Sequence, residues 1–129
     1  MIPPYTLAQA LEIHDELLTL FSGSAGMRDQ GALESALHQP HGSYFGQESY
    51  PGPLAQAGAY LFYVASAHAF IDGNKRTAAA LAVGWLRAHR IGIADENGFV
   101  ELTLQVARGE LDVQAVINTL SDLTVVLES

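Results

Sequence analysis

Residues 53–90 read PLAQAGAYLFYVASAHAFIDGNKRTAAALAVGWLRAHR, two apolar stretches rich in Ala and Leu joined by a short polar turn. From Pro53 to Ile71 the chain carries no formally charged side chain apart from His68 when protonated. That length approaches a membrane-spanning helix, but Gln56, Ser66 and His68 interrupt it and no basic cluster precedes it. A central helix over about 53–68, buried on most sides by its neighbours, is the expectation, with no membrane span. A second helix follows over about 74–90, built on Ala and Leu with basic residues in its last turn, and Gly92 reads as its stop signal. Two such helices in the middle of a chain define the core of a helical fold.

Working outward, residues 6–21 place Leu7, Ala10, Leu11, Leu17, Leu18 and Phe21 at helical spacing behind Thr6 as N-cap, and SGSAG at 22–26 ends this helix. Asp29 caps a short second helix, QGALESALHQ, that stops before Pro40. Residues 40–53, PHGSYFGQESYPGP, lack a helical period and read as a long exposed loop or short hairpin, a type of segment that is often functional. Residues 99–107 and 112–127 read as two further helices, the last capped by Asp112, and strand signals are thin throughout. The fold class expected is all-α: one domain over residues 1–129, a bundle of about six helices.

Composition narrows the partners. The chain has 129 residues, 49% of them hydrophobic and 16% charged, which is globular and not disordered. A formal net charge of −8 argues against direct nucleic-acid or anionic-membrane binding, since both need a basic face. There is no Cys, which removes disulfides and thiolate metal sites and fits a reducing cytoplasm. MIPPYTLAQA at the start shows no basic segment ahead of an apolar core, so no secretory signal is expected.

Against that acidic background, HAFIDGNKRT at 68–77 gathers two of the six Lys and Arg residues with a His and a carboxylate. The turn runs into a helix N-terminus, where unpaired backbone N–H groups and the positive dipole end attract phosphate. Gly73 permits a positive φ and a close approach of ligand to backbone. Lys75 and Arg76 stand at the end of a helix where cations are unfavourable, so a bound anion explains them better than the fold does. Asp72 is a hard oxygen ligand suited to Mg²⁺ shared with phosphates, His68 is an imidazole able to act as general base, and Asn74 is an amide donor. Alone, His68 would read as a core histidine, Asp72 as a turn or cap residue and the basic pair as surface charge; their company within ten residues reverses that. Arg28 reads as an ion-pair partner, while His14, His38, His41 and His89 lack metal-ligand spacing and read as surface or packing residues. Together the motif residues make a phosphoryl- or nucleotidyl-transfer site.

HAFIDGNKR resembles the H-x-F-x-D-G-N-K-R signature of the Doc (death-on-curing) branch of the Fic/Doc family, and GMRDQGALESAL at 26–37 is similar to the G-x-R-D-x-x-x-L-x-S-A stretch of the same branch. The resemblance implies a helical fold with the motif loop between two central helices. It also implies a toxin that transfers the γ-phosphate of ATP to a Thr or Ser of elongation factor Tu, with a small Phd-like antitoxin as its partner. By that carry-over His68 takes the proton from the target hydroxyl, Asp72 holds Mg²⁺, and Gly73, Asn74, Lys75 and Arg76 cradle phosphates. Phe70 packs inward and anchors the loop, and residues 41–50 form a flap that clamps the target backbone. Fic enzymes that transfer AMP usually carry G-N-G-R-x-x-R; here Lys75 replaces the second glycine and Ala79 stands at the second arginine. A Fic-type AMP-transferase is therefore the alternative enzyme. Ala67 and Ala69, where relatives more often show N-H-P-F, leave a third alternative, a catalytically silent partner-binding protein.

Overall fold

A computed structural model of the chain describes residues 2–127. Its six helices are α1 (Leu7–Phe21), α2 (Gln30–His38), α3 (Pro53–Ala67), α4 (Asn74–Ala88), α5 (Glu96–Ala107) and α6 (Val113–Asp122). Four start on a side-chain cap. Thr6 and Gln9 exchange bonds in a capping box, and Asp29, Asp95 and Asp112 accept from the N–H groups of Ala32, Gly98 and Ala115. α3 begins differently, with Pro53 in its first turn, a position where the missing N–H costs nothing.

α3 is the axis of the bundle and packs against α4, α6, α2 and α5. Ala57, Ala59, Tyr60, Leu61, Val64 and Ala65 are all buried, and the small residues among them let neighbouring helices approach. Gly58 shows how close: a Cβ there would stand 2.6 Å from Ile117 Cγ1 of α6. Beneath α3 and α4, the rings of Tyr5, Tyr60 and Trp85 pack edge-on or tilted, with Tyr5 N–H donating to the Tyr60 hydroxyl and Trp85 Nε1 to Gln56 Oε1. Burial pushes the Tyr60 hydroxyl up to about 12. No helix among the described residues is long and apolar enough to cross a membrane.

The expected six-helix domain is therefore the observed one, and its middle agrees closely with the residues that define it. The segment 40–53 contains a short hairpin, β1 (Ser43–Tyr44) paired with β2 (Gln47–Glu48) across Phe45 and Gly46, both at positive φ. The C-terminal part differs. α5 starts at Glu96, ahead of the expected 99, because the Asp95 carboxylate caps the Gly98 amide and draws the Asn97-Gly98 pair into the first turn. Residues 112–127 are not one helix: α6 ends at Asp122, and β4 (Thr124–Val126) pairs antiparallel with β3 (Ile91–Ile93). β-Branched Thr124, Val125 and Val126 favour extended backbone, and Ile91 and Ile93 offer a strand to pair with. Gly92 thus sits in a strand, with Leu127 against the face where a side chain would be.

Gly58→Leu tests the α3–α6 approach. Leucine is a better helix former than glycine, so any loss of stability reports the interhelix contact; overpacking should cost about 1–3 kcal/mol, read as a lower Tm and denaturation midpoint.

Candidate active site

α3 ends at Ala67, and His68 at its C-cap takes a left-handed conformation, φ 47 and ψ 41, turning the chain sharply back toward the core. Such a conformation is uncommon for a residue with a Cβ and costs about 1–2 kcal/mol. Ala69 and Phe70 then enter the interior, each 1% exposed. The Ala69 carbonyl accepts from both Arg28 N–H (2.7 Å) and Asp29 N–H (3.0 Å), Ile71 N–H donates to the Gly26 carbonyl (3.1 Å), and Met27 and Phe70 form an isolated antiparallel bridge. The two sequence blocks, 26–29 and 68–77, are therefore two sides of one strap. Phe70 packs inward as expected.

Asn74 closes the loop from the other side. Its Oδ1 accepts from Phe70 N–H and its Nδ2 donates to the Phe70 carbonyl, both at 2.9 Å. Part of the amide expected to reach a phosphate is thus engaged in holding the loop. Gly73, at φ 82, is the N-cap of α4 and offers no side chain to its first turn, which leaves that helix end open to a ligand.

The Asp72 carboxylate accepts from Ser24 N–H through Oδ2 (3.1 Å) and from Gly73 N–H through Oδ1 (2.8 Å). These two backbone donors, with smaller contributions from Arg76 and His14, hold its carboxyl below the usual carboxylate range, so it stays ionised. Lys75 and Arg76 are exposed, and neither forms an ion pair among the described residues. The Arg76 guanidinium lies 5.0 Å over the Phe21 ring. A cavity of about 480 Å³ brings together His68, Asp72, Gly73, Asn74, Lys75 and Arg76, the six residues singled out in the sequence, with Phe21 at the end of α1 and Ser22 and Gly23 of the α1–α2 connection. It carries an imidazole, an ionised carboxylate, an open helix N-terminus and two unpaired cations.

Some of its makers had no motif to announce them. His14 of α1, read as a surface or packing residue, is a packing one, 3% exposed; its ring stacks on Phe70 with centroids 3.7 Å apart and planes 6° apart, and its Nε2 donates to the Asp72 carbonyl at 2.7 Å. One signal was present: His14 falls four residues after Ala10, on the apolar face of its helix. Phe21, Ser22 and Gly23 read as a helix end and a loop, and only folding brings them to the cavity. Arg28, expected as an ion-pair partner, forms no such pair among the described residues and acts through its main-chain N–H.

The comparisons with known proteins agree with this geometry. The sequence model described as Fic/DOC family matches residues 4–86, a span that covers α1 through most of α4. The chain is 33% identical over 99 residues to a protein named Toxin Doc from Mycolicibacterium smegmatis, covering 74% of this chain and 76% of that one. It is 30% identical over 115 residues to one named Protein kinase doc from Escherichia phage P1, covering 89% and 90%. With its motif loop between two central helices and matches over most of its length, the chain belongs to the Fic/Doc family.

Proposed function

We propose that the protein is a Doc-type toxin that moves the γ-phosphate of ATP onto a Thr or Ser hydroxyl of a protein target, elongation factor Tu, and so blocks translation in the cytoplasm of its host. The observation that carries this proposal is the pair of unpaired cations, Lys75 and Arg76, at the uncapped start of α4, with His68 and the ionised Asp72 on the same cavity. Lys75 and Arg76, two of the chain's six basic side chains, stand side by side in the first turn of a helix, at the positive end of its dipole and without an ion pair among the described residues, a placement for which an anion is the natural partner. The names of the two relatives, one a toxin and one a protein kinase, agree with this assignment.

The donor set fits ATP with Mg²⁺. Each Asp72 oxygen takes one backbone N–H and keeps lone-pair capacity for a hard cation, and no group of three His, Cys, Asp or Glu able to hold a metal exists among the described residues. A Mg²⁺ on Asp72 would thus complete its shell with phosphate oxygens and water, the usual way this ion is shared with a nucleotide. When bound, the ion neutralises phosphate charge. The chain's own residues do the rest. Lys75, Arg76 and the first amides of α4 hold the phosphates; Lys75, bulkier than the glycine of AMP-transferring relatives, shifts the polyphosphate so that the γ-phosphorus meets the target. His68 accepts the hydroxyl proton, the hydroxyl oxygen attacks the γ-phosphorus, the bond to the β,γ-bridging oxygen breaks, and ADP leaves.

The hairpin β1–β2 suits the flap role, since it presents a short exposed edge with Tyr44 and Phe45 uncovered for strand addition by a target segment. The partner that silences the protein is then a Phd-like antitoxin. A catalytically silent protein is less favoured, because the loop around Ala67 and Ala69 is pinned by the two bonds on the Ala69 carbonyl and needs no proline to stiffen it.

Incubation with elongation factor Tu and ATP labelled at either the α- or the γ-phosphate checks the reaction. Label should reach the target from the γ position only; transfer from the α position would make the protein an AMP-transferase, and transfer from neither would favour the silent protein. Lys75→Gly should lower γ-transfer by about 10²-fold through loss of a charged phosphate contact, measured as kcat/KM. His68→Ala should abolish both transfer and growth arrest when expressed in bacteria, with the fold retained by circular dichroism.

A further inference from the structure

The peptide unit between Asp72 and Gly73 is the joint between the carboxylate and the helix start. Its carbonyl oxygen can only accept, so the 2.7 Å contact with His14 requires the hydrogen on Nε2 of that ring. A trans peptide directs its C=O and N–H to opposite sides. With the carbonyl drawn toward α1, the Gly73 N–H points away from α1, and there the Asp72 Oδ1 takes it at 2.8 Å. The carbonyl side of that choice rests on His14, since the Asp72 carboxylate holds only the N–H side. Gly73 has no Cβ and tolerates both orientations of the preceding peptide, and it occupies the left-handed region at φ 82.

The ring of His14 is well placed to act as a lock. It is 3% exposed, it lies flat on Phe70, and a Cβ on Gly73 would stand 3.4 Å from its Nε2 and Cδ2. The imidazole therefore fills the space between α1 and the loop and donates from within that space. A phenyl ring would match the stacking and leave the carbonyl without its donor. Two contacts act on the 72–73 peptide: His14 holds its carbonyl, and the Asp72 carboxylate, itself held by Ser24 N–H, takes its N–H, whereas the bonds of Arg28, Asp29, Asn74 and Gly26 hold residues 69–71.

We propose that His14 is a positioning residue that locks the Asp72–Gly73 peptide plane, so that the Gly73 amide and the Asp72 carboxylate are turned to the cavity before any phosphate arrives. It touches neither nucleotide nor target hydroxyl. The consequence for transfer rests on the cavity being the ATP site; the lock itself does not. A carboxylate preorganised in this way, with the Gly73 amide already donating to it, costs no reorganisation when charge develops, which is why the loss of such positioning appears in rate more than in stability.

The test pairs two variants with the ligand-free wild-type protein. His14→Phe keeps an aromatic ring on Phe70 and removes the donor, whereas His14→Gln keeps an N–H near the Nε2 position and removes the ring. In wild type, the ¹⁵N spectrum of the imidazole should show a hydrogen on Nε2. In His14→Phe, the Gly73 amide should shift and exchange faster while those of Leu61 and Val64 in α3 stay unchanged. ATP–Mg²⁺ affinity, read by calorimetry, should fall by about tenfold and kcat for γ-transfer by about 10–10²-fold, more than KM rises. His14→Gln should restore the Gly73 signal and most of kcat. An imidazole carrying its hydrogen only on Nδ1 would overturn the lock, as would a His14→Phe protein with the wild-type Gly73 signal and kcat. Should His14→Phe not fold, the wild-type tautomer and the Gly73 signal of His14→Gln decide the matter. If wild type bound no ATP, the kinase assignment would fall while the Gly73 signals still judged the lock.

Discussion

The architecture of the site depends on how Phe70 is held. Its ring lies in the core under His14, its N–H and carbonyl are both taken by the Asn74 amide, and its backbone bridges Met27. A loop between two helices would ordinarily be among the softer parts of a helical domain. Here one buried aromatic and a ring of backbone bonds make it rigid, and the two polar residues on either side of the buried pair, His68 and Asp72, are turned outward as a result. The alternation is simple: His68 out, Ala69 and Phe70 in, Ile71 and Asp72 out. Apolar burial anchors the loop, and the residues carrying chemistry are those the anchor leaves exposed.

Local choices around that anchor run against stability. His68 takes a left-handed conformation that a non-glycine residue adopts only when its surroundings impose it. α4 lacks a side-chain N-cap, whereas α1, α2, α5 and α6 all have one. Two cations sit at the wrong end of the same helix dipole without carboxylate partners among the described residues. All three features fall within the same ten residues and line one cavity. Elsewhere α1, α2, α5 and α6 start on side-chain caps and small residues stand where helices meet, although positive φ at a non-glycine residue recurs at Ser22, Phe45 and Arg90. An uncapped helix start, a basic pair and a left-handed His68 coinciding on one cavity are the features a charged ligand would relieve by supplying the missing partners.

Much of this could be read from residue patterns. Periodicity located α1 to α4, since each repeats apolar residues over three or more turns or ends at an unmistakable Gly or Pro. The C-terminal third was harder. Thr124 to Val126 continue the apolar pattern of α6, and a short run of that kind is ambiguous between helix and strand until a partner is known. The partner is Ile91–Ile93, about thirty residues earlier in the chain, and no local signal links the two. The link from His14 to the motif loop was hidden for the same reason. Its position on the apolar face of α1 was visible, but what it touches, Phe70 and the Asp72 carbonyl, lies 56 and 58 residues away.

From residue order alone came the helical class, the place of the loop between the two central helices, and the identity of the six groups on the cavity, because each rests on neighbours within a few positions: apolar spacing, capping chemistry, and a charge pair at a helix start. Tertiary structure decided which groups support them. Stacking of His14, the capture of the Ala69 carbonyl by residues 28 and 29, the engagement of Asn74 with Phe70, and the contribution of Phe21 to the cavity are contacts between segments that meet only after the helices pack. Side-chain chemistry travels with the sequence; the orientation of a peptide plane is set by whatever packs against it.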